Sequence, residues 1–299
     1  MVGPIVALSI AAAVAGVLVY AVFVEPNWLR IRRRVLYLPK WDVRLDGLTI
    51  LHLSDLHIGT RACPAERFLR VAKKLKADLV LFTGDFIAGP TGLERACVAL
   101  GQYSRHRNVY GVPGNHEHAE YQRRFPGKGQ FKAKRALDTG HIFQALEDAG
   151  VTMLVNRGVT VEHGSARFTL AGIADMFNEA DDLDAALGFA ESDESDSEDA
   201  RREPVPVVLM SHSPDVLGNA ARRGVSLVLS GHTHGGQVRF PLLGTPTTAT
   251  FLPMERPSGV IVRGSTVMHV SPGLGTTFLP LRFFARPEVT LLELRSAGP

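Results

Sequence analysis

The sequence predicts an α/β domain of mixed sheets behind a single membrane-spanning segment. Three observations carry that prediction. Aliphatic runs alternate with helical patterns through the first half of the chain, later aliphatic runs crowd closer together, and residues 3–24, "GPIVALSIAAAVAGVLVYAVFV", carry no charge. Strand–helix–strand repetition is what a layered α/β sheet requires, and closely spaced strands favour antiparallel pairing.

The amino-terminal segment comes first. As a helix, residues 3–24 would be roughly 33 Å long, against a hydrocarbon core of about 30 Å. A secretory signal would need basic residues before a shorter apolar core and a small-residue cleavage site behind it. Nothing charged precedes this segment, and "VFVEPNW" offers no such site. A retained anchor is therefore expected over residues 1–26. The flank "NWLRIRRRVLYLPK" sets Trp28 at the interface and Arg30, Arg32, Arg33, Arg34 and Lys40 beyond it. Residues 27–45 thus read as a basic juxtamembrane linker. By the positive-inside rule it keeps the following domain cytoplasmic, a single-pass arrangement at the cell's inner membrane, and it suits anionic headgroups.

The chain has 299 residues, 45% hydrophobic, with a net charge of +3. That is ample for a sizeable core over residues 46–299, and the charge gives no indication of nucleic acid as a partner. Cys63 and Cys97 form no CxxC pair, so neither a disulfide framework nor a thiolate zinc site is indicated. No protein partner is read from the sequence.

Within the domain, "GLTILHLSDLH" (47–57) reads as a buried strand ending in polar residues. "PAERFLRVAKKLKA" (64–77) opens on a helix-starting proline and repeats apolar residues at Phe68, Leu69, Val71, Ala72 and Leu75, the spacing of a helical face. "DLVLFTGD" (78–85) and "NVYGVPGNHE" (108–117) are the next strands, and "IFQALEDAG" (142–150) a helix closing on glycine. Further strands follow in "ARFTLAGIAD", "PVPVVLMSHS", "VSLVLSGHTH", "GVIVRG", "TVMHVSPG" and "EVTLLELR". Two inserts interrupt the series. The basic-aromatic "YQRRFPGKGQFKAKR" (121–135) reads as an exposed loop or a lid. The acidic, serine-rich stretch at 181–204 reads as a solvated, mobile surface insertion.

Polar residues fall at one recurrent place. Asp55 and His57 end the first strand, Asp85 ends the second, and Asn115 and His116 lie just past the third; His212 follows "VVLM", and His232 and His234 follow "LVLS". The carboxyl edge of an open α/β sheet is where ligands bind. Asp55/His57 and His232/His234 are spaced i, i+2, so in extended chain each pair points one way. Glycines at 59, 84, 114, 231, 235 and 236 allow the tight turns such a rim needs.

In this order, "DLH", "GD", "GNHE", "SH" and "GHTH" resemble the calcineurin-like metallophosphoesterases, over roughly residues 47–295. "SHSPD", "SGHTHGGQ" and "GLGTTFLPLRFFARPEVTLLEL" resemble the membrane-associated bacterial branch, which includes phosphodiesterases and UDP-diacylglucosamine pyrophosphohydrolases of lipid A synthesis. The resemblance implies a four-layer αββα sandwich, two facing sheets flanked by helices, with a dimetal site between strand ends. It implies that Asp55, His57 and His234 hold one ion, that Asn115, His212 and His232 hold the other, and that Asp85 bridges them. Mixed oxygen and nitrogen ligands without thiolate suit two divalent ions, manganese first, with iron or zinc compatible. The expected reaction is hydrolysis of a phosphodiester or pyrophosphate by a metal-bridging hydroxide, with a lipid-linked phosphate ester such as UDP-diacylglucosamine as substrate. His116 is expected to protonate the leaving oxygen or stabilise the transition state. Arg123, Arg124, Gly275 and Arg282 are candidate substrate contacts. His118 reads as a packed side chain, and His52 as packed or as a group supporting the metal ligands. Two other readings stay open: an extracytoplasmic phosphodiesterase for exported phosphodiesters, and a non-enzymatic scaffold on the same fold. A metallo-β-lactamase-like hydrolase would need an early HxHxDH, which "HLSDLH" does not match.

Overall fold

The computed structural model describes residues 2–104, 108–123, 131–188, 205–240, 243–246, 250 and 257–298. The apolar segment is helical. Helix α1 (Val2–Val19) runs into a π turn (Tyr20–Val24) and a 3-10 turn (Glu25–Asn27) that carries Pro26. Together they give an apolar span, Pro4–Asn27, long enough to cross a membrane; its first part is exposed, and Ala21, Glu25 and Pro26 near its end are buried.

The expected linker is instead part of the fold. Strand β1 (Arg30–Leu38) pairs parallel with the last strand, β14 (Glu288–Ser296), at the edge of the first sheet. "RIRRRVLYL" alternates, burying Leu36 and Leu38 while Arg33, Val35 and Tyr37 face outward. The run of arginines hides that period-two pattern from a charge count. Arg32 is held by Glu288 at 2.9 Å. The domain therefore begins at the foot of the helix, with no flexible tether.

The first sheet has the order β1, β14, β2 (Thr49–Leu53), β3 (Leu79–Thr83), β4 (Val109–Val112), β7 (Thr152–Met153). The second has β12 (Gly259–Arg263), β13 (Thr266–Val270), β11 (Leu227–Ser230), β10 (Val207–Met210), β9 (Ala166–Gly172), β8 (Arg157–His163). Strands β2, β3, β4 and β7 pair in parallel. The later strands are less antiparallel than expected: in the second sheet β9, β10, β11 and β13 are mutually parallel and β8 and β12 run against their neighbours, while in the first sheet β14 runs antiparallel to β2. The short helix Leu217–Arg222 supplies the crossover between β10 and β11 that a parallel pair needs.

Three apolar clusters define four layers. Leu51, Leu53, Val80 and Phe82 of the first sheet pack outward on Phe68 and Leu69 of α2 (Pro64–Ala72), Ala96 and Leu100 of α3 (Leu93–Ser104), and Ile142 and Leu146 of α5 (Thr139–Asp148). Ile50, Leu79 and Leu81 point the other way, onto Leu170, Val208, Met210, Leu227 and Leu229 of the second sheet. Ala171, Leu209 and Val228 back onto Leu217 and Ala220. The αββα sandwich is thus present. Helix α2 ends five residues early, and α3 was not anticipated. The 121–135 insert, expected as an exposed loop or a lid, is flanked by a two-stranded hairpin, β5 (Ala119–Arg123) with β6 (Phe131–Ala136), and residues 124–130 lie outside the described residues. Of the acidic insert, 183–188 begins a helix, and 189–204 also lies outside them.

Candidate metal centre

The carboxyl ends of β2, β3 and β4 meet those of β10 and β11 across the inter-sheet gap. His57 Nε2 lies 3.0 Å from His234 Nε2, and His232 Nδ1 lies 3.0 Å from His212 Nε2. Asp85 Oδ2 stands 3.2 Å from His57 Nε2 and 3.3 Å from His212 Nε2, between the two groups. Asp55 Oδ1 is 3.4 Å from His234 Nε2. Asn115, at the first turn of α4 (Asn115–His118), is buried beside them with its Oδ1 unpartnered.

The backbone reaches this arrangement by turns, not by extension. Asp55 (φ 52°), His57 (44°), Asp85 (54°), His232 (67°) and His234 (50°) all occupy the left-handed region. That region is costly for residues with a Cβ, about 1–2 kcal/mol each, and persists where surroundings over-determine it. The expected common direction fails for His232/His234, since His232 turns to His212 and His234 to His57, whereas Asp55 and His57 do converge, both on His234. Two glycines make the crowding feasible. A Cβ on Gly231 would fall 1.9 Å from Ser54 Oγ and 2.5 Å from Asp55 Oδ2, and one on Gly114 would fall 2.3 Å from Asp85 Oδ1.

These residues fit divalent ions. Two neutral imidazoles do not aim ring nitrogens at each other at 3.0 Å unless a proton or a cation lies between them. Donor atoms each about 2.1 Å from one ion lie roughly 3.0–3.4 Å apart, the separations found here. The donor atoms of Asp55, His57, Asp85 and His234 fall within 4.8 Å of one another, all buried. His212 Nδ1 donates to Thr83 O at 2.7 Å, which turns Nε2 inward as a donor for a metal.

The electrostatics agree. Burial works to raise the Asp85 carboxyl, but His212, His116 and His57 outweigh it and hold it well below the usual carboxylate range. Burial works to lower His212, but Asp85, with Asp55 and Asp175, pushes it up to about 10. A proton on His212 thus occupies the place a cation would take. Burial lowers His116 to about 4 and His232 to about 3. His116 Nδ1 lies 3.2 Å from Ala88 O, and a carbonyl only accepts, so Nδ1 carries the proton and Nε2 the lone pair. The His116 ring lies 4.6 Å from that of His57 and 5.4 Å from that of Tyr121, at the base of the hairpin.

Two candidate substrate contacts are corrected. Arg282 is fully buried and gives its guanidinium to backbone carbonyls, those of Gly275, His234, Ala285 and Pro272. Its five donors are spent on turns that only backbone oxygens can tie together. Gly275 donates to Asp55 O at 2.6 Å, and a Cβ there would meet Leu56 O at 2.4 Å, so it serves close packing. Arg123 ends β5, and Arg124 lies outside the described residues. His118 packs against Phe143. His52 is buried between the sheets, bonding His269 Nδ1 at 2.9 Å and Thr83 Oγ1 at 2.9 Å.

Sequence reasoning gave Glu117 no role. Its carboxyl accepts from Asp85 N, Ile87 N and Gly114 N and so holds the strained Asp85 turn; burial, then Asp85, raise it to about 8. The signal was available: glutamate three residues after Gly114 is capping-box spacing.

The sequence profile of the calcineurin-like phosphoesterases matches residues 48–236. Among related chains, the metallophosphoesterase YkuE of Bacillus subtilis is 28% identical over 284 residues, covering 93% of this chain and 90% of its own length. Phosphodiesterase YaeI of Escherichia coli is 26% identical, covering 92% of each chain. UDP-2,3-diacylglucosamine pyrophosphatase LpxG of Chlamydia trachomatis is 26% identical over 326 residues, again 92% of each. The matched stretch runs from β2 past His234 and takes in every strand end that meets at the buried cluster, so the chain belongs to the calcineurin-like phosphoesterase family.

Proposed function

We propose that this metallophosphoesterase hydrolyses a phosphodiester or pyrophosphate bond of a lipid-linked substrate at the cytoplasmic face of the inner membrane. The protein is a hydrolase with a dinuclear-type metal site. The observation that carries the finer reading is the pair of buried facing histidines, His57/His234 and His212/His232, with the Asp85 carboxylate between them.

Asp55, His57 and His234 would hold one divalent ion, Asn115, His212 and His232 the other, and Asp85 both, with manganese the first candidate. When bound, such ions polarise phosphate oxygens and supply a nucleophile usable at neutral pH. Glu117 keeps Asp85 turned inward. His116 accepts a proton at Nε2 and delivers it to the leaving oxygen, its tautomer fixed by Ala88. The anchor and the name of LpxG, a relative of matching length, support a lipid-linked substrate.

The test is manganese-reconstituted hydrolysis of an aryl phosphodiester, a phosphomonoester and UDP-diacylglucosamine. Asp85→Ala should abolish turnover of every cleaved substrate, and His116→Ala should lower it about a hundredfold. Full activity in both variants sinks the site assignment.

A further inference from the structure

We propose that an aromatic rim beside the helix foot, formed by Phe240, Leu243, Phe278, Leu279 and Phe284, inserts into the lipid leaflet and opens the metal centre sideways to bilayer-borne substrate. This rests on the functional reading above and names how its substrate arrives. All five side chains are exposed, Leu243 at 85%.

The depth follows from contacts with the span. Arg282 N donates to Ala21 O, and the Phe283 ring packs at 6.3 Å on that of Tyr20. Tyr20 and Ala21 lie about 10 Å back along the axis from the Asn27 end, so whatever touches them shares the depth of the last apolar turns. Phe283 in turn packs on Phe240 and Phe284, at 6.0 and 4.7 Å between ring centroids. Glu25 gives a second sign. A carboxylate so close to lipid is costly, and here it is buried, accepting the backbone N–H groups of Phe284 and Ala285. The same loop thus covers the charge and carries the apolar rim. Around it Trp28 lies under Arg286 at 4.0 Å, an aromatic and a cation at the expected headgroup level.

Phe278 (φ 58°) and Phe284 (φ 53°) both hold left-handed backbone, rare for bulky residues, while their side chains stay exposed. Water leaves the exposed part of each ring hydrated, whereas lipid would bury it. The rim also reaches the centre. Gln237, three residues past His234, bonds the backbone of Thr277 and Leu279, and the Phe278 ring lies 6.2 Å from that of His116. A lipid phosphate passes over Phe278 to the histidines with its acyl chains still in the leaflet.

The test uses full-length, manganese-loaded protein in phosphatidylethanolamine–phosphatidylglycerol vesicles. In a Cys63→Ser, Cys97→Ser background, Leu243→Cys and Phe284→Cys are each labelled with a polarity-sensitive fluorophore. Quenching by nitroxide-labelled phospholipid, with protection from aqueous iodide, is expected. Quenching by iodide puts the rim in water, and protection from both quenchers puts a protein there; either overturns the proposal. Separately, Leu243→Glu and Phe284→Glu should lower turnover of vesicle-borne UDP-diacylglucosamine about tenfold while leaving a water-soluble aryl phosphodiester within about twofold. Equal loss on both substrates, or no loss on the vesicle-borne one, overturns it too. A parent protein inactive on every substrate removes the functional reading alone, and the quenching still decides the rim.

Discussion

At Gly231 the absence of one methyl group decides whether Asp55 can face His234. Its added Cβ would overlap Ser54 Oγ and Asp55 Oδ2, both on the β2 turn. Gly231→Ala should therefore lose most of its bound metal while keeping its far-ultraviolet dichroism; metal analysis of the purified variant checks it. Titration of His212 and Glu117 gives a second prediction. His212 moves from an ordinary 6.5 to about 10, so its stabilisation is full below pH 6.5 and lost as pH rises toward 10. Glu117, moved from 4.5 to about 8, loses stabilisation in the same direction between those values. His116 and His232, lowered to about 4 and 3, act oppositely but only below pH 6.5. Between about pH 6.5 and 10 the Tm of chelator-treated protein should fall, and saturating manganese should flatten that slope. A metal-free Tm that rises across this window contradicts the buried Asp85–His212 pair.

At the scale of elements, the loop from Pro272 to Ala285 does what neither sheet does: it joins the membrane helix to the metal centre. Arg282 is its tie, and four buried carbonyls depend on it. Leaving them bare costs about 1–3 kcal/mol each. Arg282→Met should thus destabilise the protein by at least about 3 kcal/mol, read from denaturant midpoints. Arg282→Lys should recover only part of this, since an ammonium has fewer donors and no fork. Strand β1 belongs to the same assembly. Its parallel pairing with β14 fixes the helix foot; Arg30 and Arg32 reach Glu288, Arg33 is exposed and Arg34 is half-buried.

For the whole molecule, the proposed arrangement turns the edge beside the helix foot toward the bilayer, and the basic strand after the span places the domain on the cytoplasmic side by the positive-inside rule. Protease added to intact spheroplasts should leave the domain uncut, and permeabilisation should expose it; cleavage from outside reverses the orientation. The chain order of "DLH", "GD", "GNHE", "SH" and "GHTH" already contained the family, the hydrolytic chemistry and the αββα layers, because these blocks sit at strand ends and strand ends are local features. The span was equally legible, since length and lack of charge suffice to define it. Strand β1 was not, because arginine on an exposed edge face looks like a linker until β14 is brought beside it. Nor was the route by which the two histidines of "GHTH" part company: spacing suggested one direction, whereas left-handed turns send His232 to His212 and His234 to His57. Arg282 read as a substrate contact because a sequence shows a charge and not the carbonyls around it. The sequence by itself determined which residue types gather at one edge. Only the tertiary structure decided which donors face one another, which charges are buried, and which aromatics stand at the depth of the helix foot, because those depend on contacts between separate segments, 177 residues apart for His57 and His234 and 260 for Glu25 and Ala285.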